Sequence, residues 1–196
     1  MHSYLLRVPN VLFYDEKIES GYKGGRENVF LHQDFPLVFI DSKSREDRQG
    51  TSFYNSTEIE IVGKVIWFLT TQLKINPDKF GFVSPYNGQC QRLKQYFNEN
   101  MNQLNLGENV RSIDSWQGRE KDIMVFSAVR GNKKGNIGFL ENEKRINVAL
   151  TRAKHGLIIV GNADTLRADP KWTILLGVFQ ATGTFVTGFD EAIQLI

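Results

Sequence analysis

The sequence predicts an α/β fold in which a mostly parallel sheet carries helices on both faces. Two observations support this prediction. Short apolar runs rich in Val, Ile and Phe, each closed by Gly or polar residues, are typical of buried strands. These runs alternate with longer segments whose apolar residues recur at helical spacing, which is the pattern of a parallel sheet covered on both sides. A length of 196 residues suits one domain with at most a small appendage.

The elements follow in chain order. Residues 1–35 are expected to form an irregular entry segment, and the domain itself is assigned to residues 36–196. The first long helix should be capped by Asn55 or Ser56, carry Glu58 in its first turn, where a carboxylate suits the helix dipole, and end before Pro77. Loops are predicted over 43–55 and 131–136, further helices over 87–100, 141–153 and 169–181, and strands over 37–41, 80–86, 109–113, 122–129, 156–162 and 184–186.

Composition and charge narrow the function. The single cysteine, Cys90, excludes an internal disulfide and a cysteine metal cluster and indicates a reducing, intracellular compartment, with cytoplasm and nucleus both open. The three histidines lack metal-ligand spacing, so no metal site is predicted. No apolar run reaches the length of a membrane span, and the first residues lack the apolar stretch of a signal peptide.

The charge distribution is more informative than the net charge of +2. Residues 130–154 contain seven basic and two acidic residues, whereas residues 1–60 contain seven basic and ten acidic residues. A local basic surface suits a polyanion such as a nucleic acid. The alternative is an ordinary solvated charged face.

Two polar segments, 113–122 and 145–154, adjoin predicted buried strands. Ligands of open α/β sheets bind at the carboxyl ends of the strands, so we expect both segments to lie at such an edge. Arg152, two residues before Lys154 on the predicted helix, could stabilise the charge of a transferring phosphoryl group. From the residues alone, a surface salt bridge is the favoured alternative for Arg152. The turn around Gly118 could approach a ligand closely, or it could be an ordinary polar loop.

Four motifs together resemble one known family. QGREKD (117–122), GFL (138–140), RINVALTRAK (145–154) and LIIVGN (157–162) are similar, in this order, to the UPF1-like branch of superfamily 1 helicases. This branch includes the nonsense-mediated-decay helicase, senataxin and the immunoglobulin mu-binding helicase. The resemblance covers nearly the whole chain and implies the second RecA-like domain, at the C-terminal side of a two-domain motor that moves 5′ to 3′ along single strands.

The resemblance also implies site residues and ligands. ATP and Mg²⁺ would be held mainly by an upstream RecA-like domain of the same protein, and the other partners would be single-stranded RNA or DNA and decay or transcription-termination factors. Arg152, as an arginine finger, and Glu120 would be catalytic, and Gln117, Gly118, Arg119, Gln89 and Arg92 would contact nucleotide. Nucleic-acid contacts are implied for Ser84, Pro85, Tyr86, Ser112 and Lys154.

Some positions depart from the family pattern or have two interpretations. Cys90 stands where some relatives carry an Arg that contacts the γ-phosphate, so either Arg152 acts alone or Arg92 substitutes. Cys90 itself is interpreted as a small buried hydrophobe. Trp116 could stack on a base, but the core is the favoured interpretation. The core is also the prediction for Trp67, Phe80, Phe82 and Phe126.

The chain lacks the residues that bind the phosphates and Mg²⁺ in a complete nucleotide site. It has no Gly-x-x-x-x-Gly-Lys-Ser/Thr loop and no acidic Mg²⁺-binding strand end, and the glycines of 21–26 have neither the Lys-Ser/Thr end nor a preceding strand. We therefore expect the isolated chain to be inactive as an ATPase. A non-catalytic nucleic-acid-binding or scaffold domain is the alternative. Met1-His2 match the end of a family Gln-Tyr-Arg-Met-His motif, which suggests a start inside a longer protein, although Met1 could equally be an added start.

Overall fold

The computed structural model describes residues 1–21 and 36–196. Six strands form one sheet in the order β5-β4-β6-β7-β1-β8, and every neighbouring pair is parallel. Two more strands, β2 and β3, pair antiparallel as a separate hairpin. The strands are β1 Leu37–Asp41, β2 Asp47–Gln49, β3 Ser52–Tyr54, β4 Phe80–Ser84, β5 Val110–Ser112, β6 Lys121–Ser127, β7 Ala153–Gly161 and β8 Phe185–Thr187.

Helices cover both faces of the sheet, which confirms the predicted α/β class. They are α1 Ser3–Phe13, α2 Ser56–Thr71, α3 Asn87–Asn100, α4 Glu143–Leu150, α5 Ala163–Leu166, α6 Pro170–Ala181 and α7 Gly188–Leu195. Helices α2, α3 and α7 contribute to the core on one face, and α1, α4 and α6 contribute to the core on the other. In the described part of the chain, none of the helices has both the length and the apolar composition needed to cross a membrane.

The alternation of side chains along β6 separates the two cores. Met124 and Phe126 point into the core beneath α4 and α6, whereas Ile123 and Val125 point into the core beneath α2 and α3. All four side chains are at most 2% exposed. A central parallel strand is buried on both faces, so it appears in the sequence as a continuous apolar run.

Local sequence explains where the helices begin. The Asn55 side chain accepts a hydrogen bond from the Glu58 amide and caps α2, and the Asn142 side chain does the same for Arg145 at the start of α4. Asp169 caps α6, and Pro170 occupies its first turn, where a missing amide hydrogen has no cost.

Several predicted elements need correction. The entry segment predicted to be irregular contains α1, the predicted loop 43–55 contains the β2–β3 hairpin, and α5 and α7 were not predicted. The helix predicted over 141–153 spans only Glu143–Leu150, because β7 begins at Ala153. Trp67 is 51% exposed, so its assignment to the core was wrong, whereas Phe80, Phe82 and Phe126 are fully buried. Residues 22–35, including most of the glycine-rich stretch 21–26, lie outside the described residues.

Candidate functional site

The predicted site residues divide between two opposite edges of the sheet. Because the strands are parallel, all of them start at one edge and end at the other. Residues 117–120 directly precede β6 and Arg152 directly precedes β7, so both lie at the amino edge. Ser84 and Ser112 are the last residues of β4 and β5 and lie at the carboxyl edge, as a register pair. The expectation that both polar segments lie at carboxyl ends was therefore wrong for residues 117–120 and Arg152.

The amino-edge cluster consists of Gln117, Gly118, Arg119, Glu120, Arg152 and Lys154. The backbone joins its two halves, since the Lys121 amide donates to the Arg152 carbonyl across 3.1 Å. Arg152 Nη1 lies 3.4 Å from the Arg119 carbonyl oxygen, and Lys154 Nζ lies 3.0 Å from Glu120 Oε1. Gly118 has a φ of +76°, which favours glycine and keeps the turn free of a side chain. Two segments 32 residues apart in the chain thus meet in one charged cluster.

The Arg152 guanidinium is held against the end of α4. Its Nε donates to the Val148 carbonyl at 3.1 Å, and its Nη2 donates to Thr151 Oγ1 at 2.9 Å. A cation at this position also interacts favourably with the C-terminus of the helix. The side chain is half-buried. The predicted helix included Arg152, but α4 ends at Leu150, so Arg152 lies just beyond it.

Lys154 belongs to this amino-edge cluster. The family resemblance implies a nucleic-acid contact for Lys154, but the structure places Lys154 at the opposite edge from Ser84 and Ser112, paired with Glu120. Both partners are substantially exposed, with side-chain accessibilities of 40% for Lys154 and 63% for Glu120. Such an exposed pair is weak and can exchange partners with an arriving anion.

Two of the three consecutive residues predicted as nucleic-acid ligands at the end of β4 are buried at the carboxyl edge. Ser84 is 2% exposed and its Oγ accepts from the Tyr86 amide at 3.4 Å. Tyr86 is 3% exposed, and its hydroxyl accepts from Arg130 Nη1 at 3.1 Å and from the Phe139 amide at 3.3 Å. Pro85 and Ser112 are half-buried, and the Ser112 hydroxyl, 3.0 Å from Ser115 Oγ, can reach a ligand.

The predicted nucleotide ligands on α3 have other partners. Gln89 is fully buried: its Oε1 accepts from the Asn55 amide at 2.8 Å, and its Nε2 donates to Ser127 Oγ at 2.7 Å. Arg92 lies 3.7 Å from the Tyr54 ring centroid and donates to Gln49 on the β2–β3 hairpin. Neither side chain contacts the amino-edge cluster in this structure, and the use of Arg92 in place of an arginine at position 90 stays a prediction.

The structure confirms that Cys90 and Trp116 belong to the core. Cys90 is 6% exposed, and burial raises the pKa of its thiol to about 11, as for a small buried hydrophobe. Trp116 is 2% exposed, and its indole Nε1 donates to the Phe82 carbonyl at 2.8 Å. The Trp116 ring therefore fills the core and cannot stack on a base.

A buried carboxylate beneath the carboxyl edge was missed in the sequence. Glu58 is fully buried, and its Oε2 accepts from Ser127 Oγ at 2.6 Å and from the Val129 amide at 2.9 Å. Burial raises its pKa to about 8, although the hydrogen bonds from Ser127 and Val129 act in the opposite direction. Val129 has a φ of +72°, an unusual value for a β-branched residue, so Glu58 secures a strained turn. In sequence Glu58 was indistinguishable from an exposed first-turn helix carboxylate.

The strained turn leads into a buried ion pair that was also missed. Arg130 Nη2 lies 3.1 Å from Glu46 Oε1, with side-chain exposures of 7% and 11%. The guanidinium packs 4.5 Å from the Phe53 ring centroid. Arg145 makes a second, more exposed pair at this edge, donating to both carboxylate oxygens of Asp114 at 3.2 and 2.9 Å. Cations and hydroxyls at the carboxyl edge suit a phosphate backbone.

Comparison with known proteins identifies the family. A family model described as an AAA domain matches residues 1–164. The chain is 37% identical over 201 residues to a regulator of nonsense transcripts 1 homolog of Drosophila melanogaster, covering 96% of this chain and 17% of that protein. It is 34% identical over 206 residues to the ATP-dependent helicase NAM7 of Saccharomyces cerevisiae, covering 100% of this chain and 21% of that protein. The chain belongs to the UPF1-like superfamily 1 helicases.

Family membership applies to a domain and not to a whole motor. The chain spans about a fifth of the length of these curated relatives. The six-stranded parallel sheet agrees with a single RecA-like helicase domain. The four motifs that carried the resemblance map onto the sheet and both of its edges. QGREKD and the end of RINVALTRAK lie at the amino edge, GFL and the start of RINVALTRAK lie at the carboxyl edge, and LIIVGN forms most of β7.

Proposed function

We propose that this chain is the second, C-terminal RecA-like domain of an ATP-dependent RNA or DNA helicase that moves 5′ to 3′ along a single strand. One observation supports this proposal most strongly: Arg152, Arg119, Glu120 and Lys154 converge at the amino edge from two separate motifs. ATP is the substrate, held with Mg²⁺ mainly by an upstream RecA-like domain, because the chain carries no phosphate-binding loop of its own.

The amino-edge cluster fits a polyphosphate. Arg119 and Gln117 are exposed, and the Gly118 turn leaves the backbone accessible. Arg152 has to give up three hydrogen bonds, to Val148, Thr151 and Arg119, to extend its guanidinium toward an incoming phosphate. In this proposal Arg152 stabilises charge on the transferring phosphoryl group, while Glu120 exchanges its pairing with Lys154 for a nucleotide hydroxyl or a water molecule.

The carboxyl edge would hold the strand. Ser112 offers an accessible hydroxyl, and Lys133 and Lys134 lie exposed on the loop that follows β6. The buried Ser84 and Tyr86 shape this surface without contributing accessible polar atoms, so we assign them a supporting role. Backbone contacts of this kind do not depend on base sequence. The names of the relatives make the regulation of nonsense transcripts the proposed pathway for the longer protein.

The test is the ATPase rate with and without single-stranded RNA, measured for this chain alone and for a longer protein that also contains the upstream domain. We expect the chain alone to be inactive and the longer protein to be stimulated by RNA. Arg152→Ala should lower that stimulated rate by roughly 10³-fold or more if it acts as an arginine finger. Arg167→Ala, which removes an exposed guanidinium paired with Asp164, is the matched control and should leave the rate unchanged.

The outcomes separate the parts of the proposal. A helicase-like ATPase rate from the chain alone would show that a complete nucleotide site exists here and would refute the two-domain argument. An unchanged rate in Arg152→Ala would remove the arginine-finger assignment and leave the family membership intact.

A non-catalytic nucleic-acid-binding domain is the second candidate function. The observation in its favour is that Arg152 donates to acceptors within its own chain and that Lys154 and Glu120 neutralise each other. Salt-dependent RNA binding that ATP does not alter, in the longer protein, would favour this alternative.

A further inference from the structure

One exposed aromatic residue at the carboxyl edge has no role in the function proposed so far. Phe139 is 51% exposed and lies in the short 3₁₀ turn Gly138–Glu141, between the basic loop after β6 and α4. A large apolar side chain in this position would normally be turned inward, as the neighbouring Ile137 and Leu140 are, both at 2% exposure. The Phe139 ring is instead presented to solvent.

The exposed ring is fixed in place. The Phe139 amide donates to the Tyr86 hydroxyl at 3.3 Å, and the two rings pack with centroids 5.3 Å apart and planes inclined by 38°. The Arg145 guanidinium lies over the Phe139 ring, 5.0 Å from its centroid, and is itself held by two hydrogen bonds to Asp114. An aromatic ring held this firmly loses little conformational entropy when a ligand covers it.

The position of the ring connects it to the proposed strand-binding surface. Tyr86 follows Ser84 by two residues and Asp114 follows Ser112 by two residues, so the two supports of Phe139 arise directly beyond the ends of β4 and β5. The other exposed aromatic of comparable exposure, Trp67, lies in the middle of α2, and in the described residues no cation is found over its ring. An exposed ring beside a guanidinium is the arrangement that binds single strands, with the ring stacking on a base and the cation facing a phosphate.

We propose that Phe139 is a stacking platform for one base of a bound single-stranded nucleic acid, with Arg145 beside the adjoining phosphate. This inference rests on the proposed nucleic-acid grip of the carboxyl edge and names one of its contacts. Stacking tolerates every base because each has an aromatic face, so the contact would hold the strand without reading its sequence.

The experiment uses the 196-residue chain and two ligands that differ only in their bases. Fluorescence anisotropy at about 50 mM salt would measure the affinity for a labelled twelve-residue oligouridine and for a strand of the same length made of abasic units. Phe139→Ala should weaken oligouridine binding by about 5- to 150-fold and leave the abasic affinity unchanged. Phe139→Trp should retain or strengthen oligouridine binding. Ile174→Ala, at a residue 50% exposed on α6, is the control for loss of a surface hydrophobe and should behave as the wild type.

Each outcome decides the inference. Equal losses on both strands, or no loss on oligouridine, would overturn the stacking assignment while the wild-type affinity still supports the proposed grip. Failure of the wild type to bind either strand would overturn the proposed grip, and the stacking contact with it. Phe139→Trp keeps the test decisive if the alanine variant folds poorly, since weaker oligouridine binding by that variant would also contradict stacking.

Discussion

The buried carboxyl of Glu58 should make the stability of the domain depend on pH. Its pKa is raised from an ordinary value of 4.5 to about 8 in the folded chain, chiefly by burial. The folded state therefore holds a proton between pH 4.5 and about 8 that the unfolded state has released. The stabilisation that protonated Glu58 contributes is fully present below pH 4.5. It falls as the pH rises toward 8, at up to about 1.4 kcal/mol per pH unit.

The magnitude follows from the same two pKa values. Because the pKa of Glu58 is 4.5 in the unfolded chain and about 8 in the folded chain, the unfolding free energy falls by about 3 kcal/mol between pH 5 and pH 8. Glu58→Gln is the matched variant, because it is isosteric, keeps an oxygen to accept from the Val129 amide, and does not titrate. The unfolding free energy of the wild type, minus that of Glu58→Gln, should thus decrease by about 3 kcal/mol over this range.

Urea unfolding followed by tryptophan fluorescence measures this difference, because Trp116 and Trp172 are both 2% exposed and become solvated on unfolding. Every other ionisable group is common to the two proteins, so its contribution cancels in the subtraction. A difference that stays constant within about 0.5 kcal/mol from pH 5 to pH 8 would refute the argument that burial controls the protonation of Glu58.

Two further predictions concern stability and use the same urea assay. Glu46→Gln leaves the buried Arg130 guanidinium without its counter-charge and should lower the unfolding free energy by about 3 kcal/mol. Asp164→Asn, in the exposed pair with Arg167, should lower it by less than about 1 kcal/mol. Equal losses would show that the Arg130 pair is solvated. Trp116→Ala should cost about 3–5 kcal/mol, because the ring is buried and hydrogen-bonded, whereas Trp67→Ala should cost less than about 1 kcal/mol; similar losses would contradict the burial assignments.

The sequence predicted an element correctly where one local pattern of apolar residues determines that element. Strand β1 and helix α3 have the predicted bounds, because an apolar run and an amphipathic segment are each local patterns. The β2–β3 hairpin was missed because all three residues of β2 are exposed, so it shows no alternation of buried and exposed residues. Glu58 was misinterpreted because its burial depends on Ser127 and Val129, about seventy residues away in the chain.

The error about the two edges has a physical cause. Parallel strands joined without an α-helix still require the connecting segment to travel the full height of the sheet, and residues 113–120, which include the 3₁₀ turn Asp114–Trp116, do so between the end of β5 and the start of β6. Asp114 therefore lies at the carboxyl edge with Arg145, whereas Glu120 lies at the amino edge with Lys154. A short polar motif in the sequence thus contributes residues to two separate sites, which its spacing alone does not reveal.

The same geometry constrains how a motor could use this domain. Arg145 lies in the first turn of α4, and Arg152 holds the last turn, so the eight residues of that helix, about 12 Å long, separate the proposed strand contact from the proposed phosphate contact. In the proposed motor, coupling between ATP and the strand would pass through α4 and its neighbours β6 and β7, beginning at the Arg152 side chain. When its Nε leaves the Val148 carbonyl for a phosphate, the C-terminus of α4 loses a hydrogen-bonded cation, and the helix that positions Arg145 is altered at its other end.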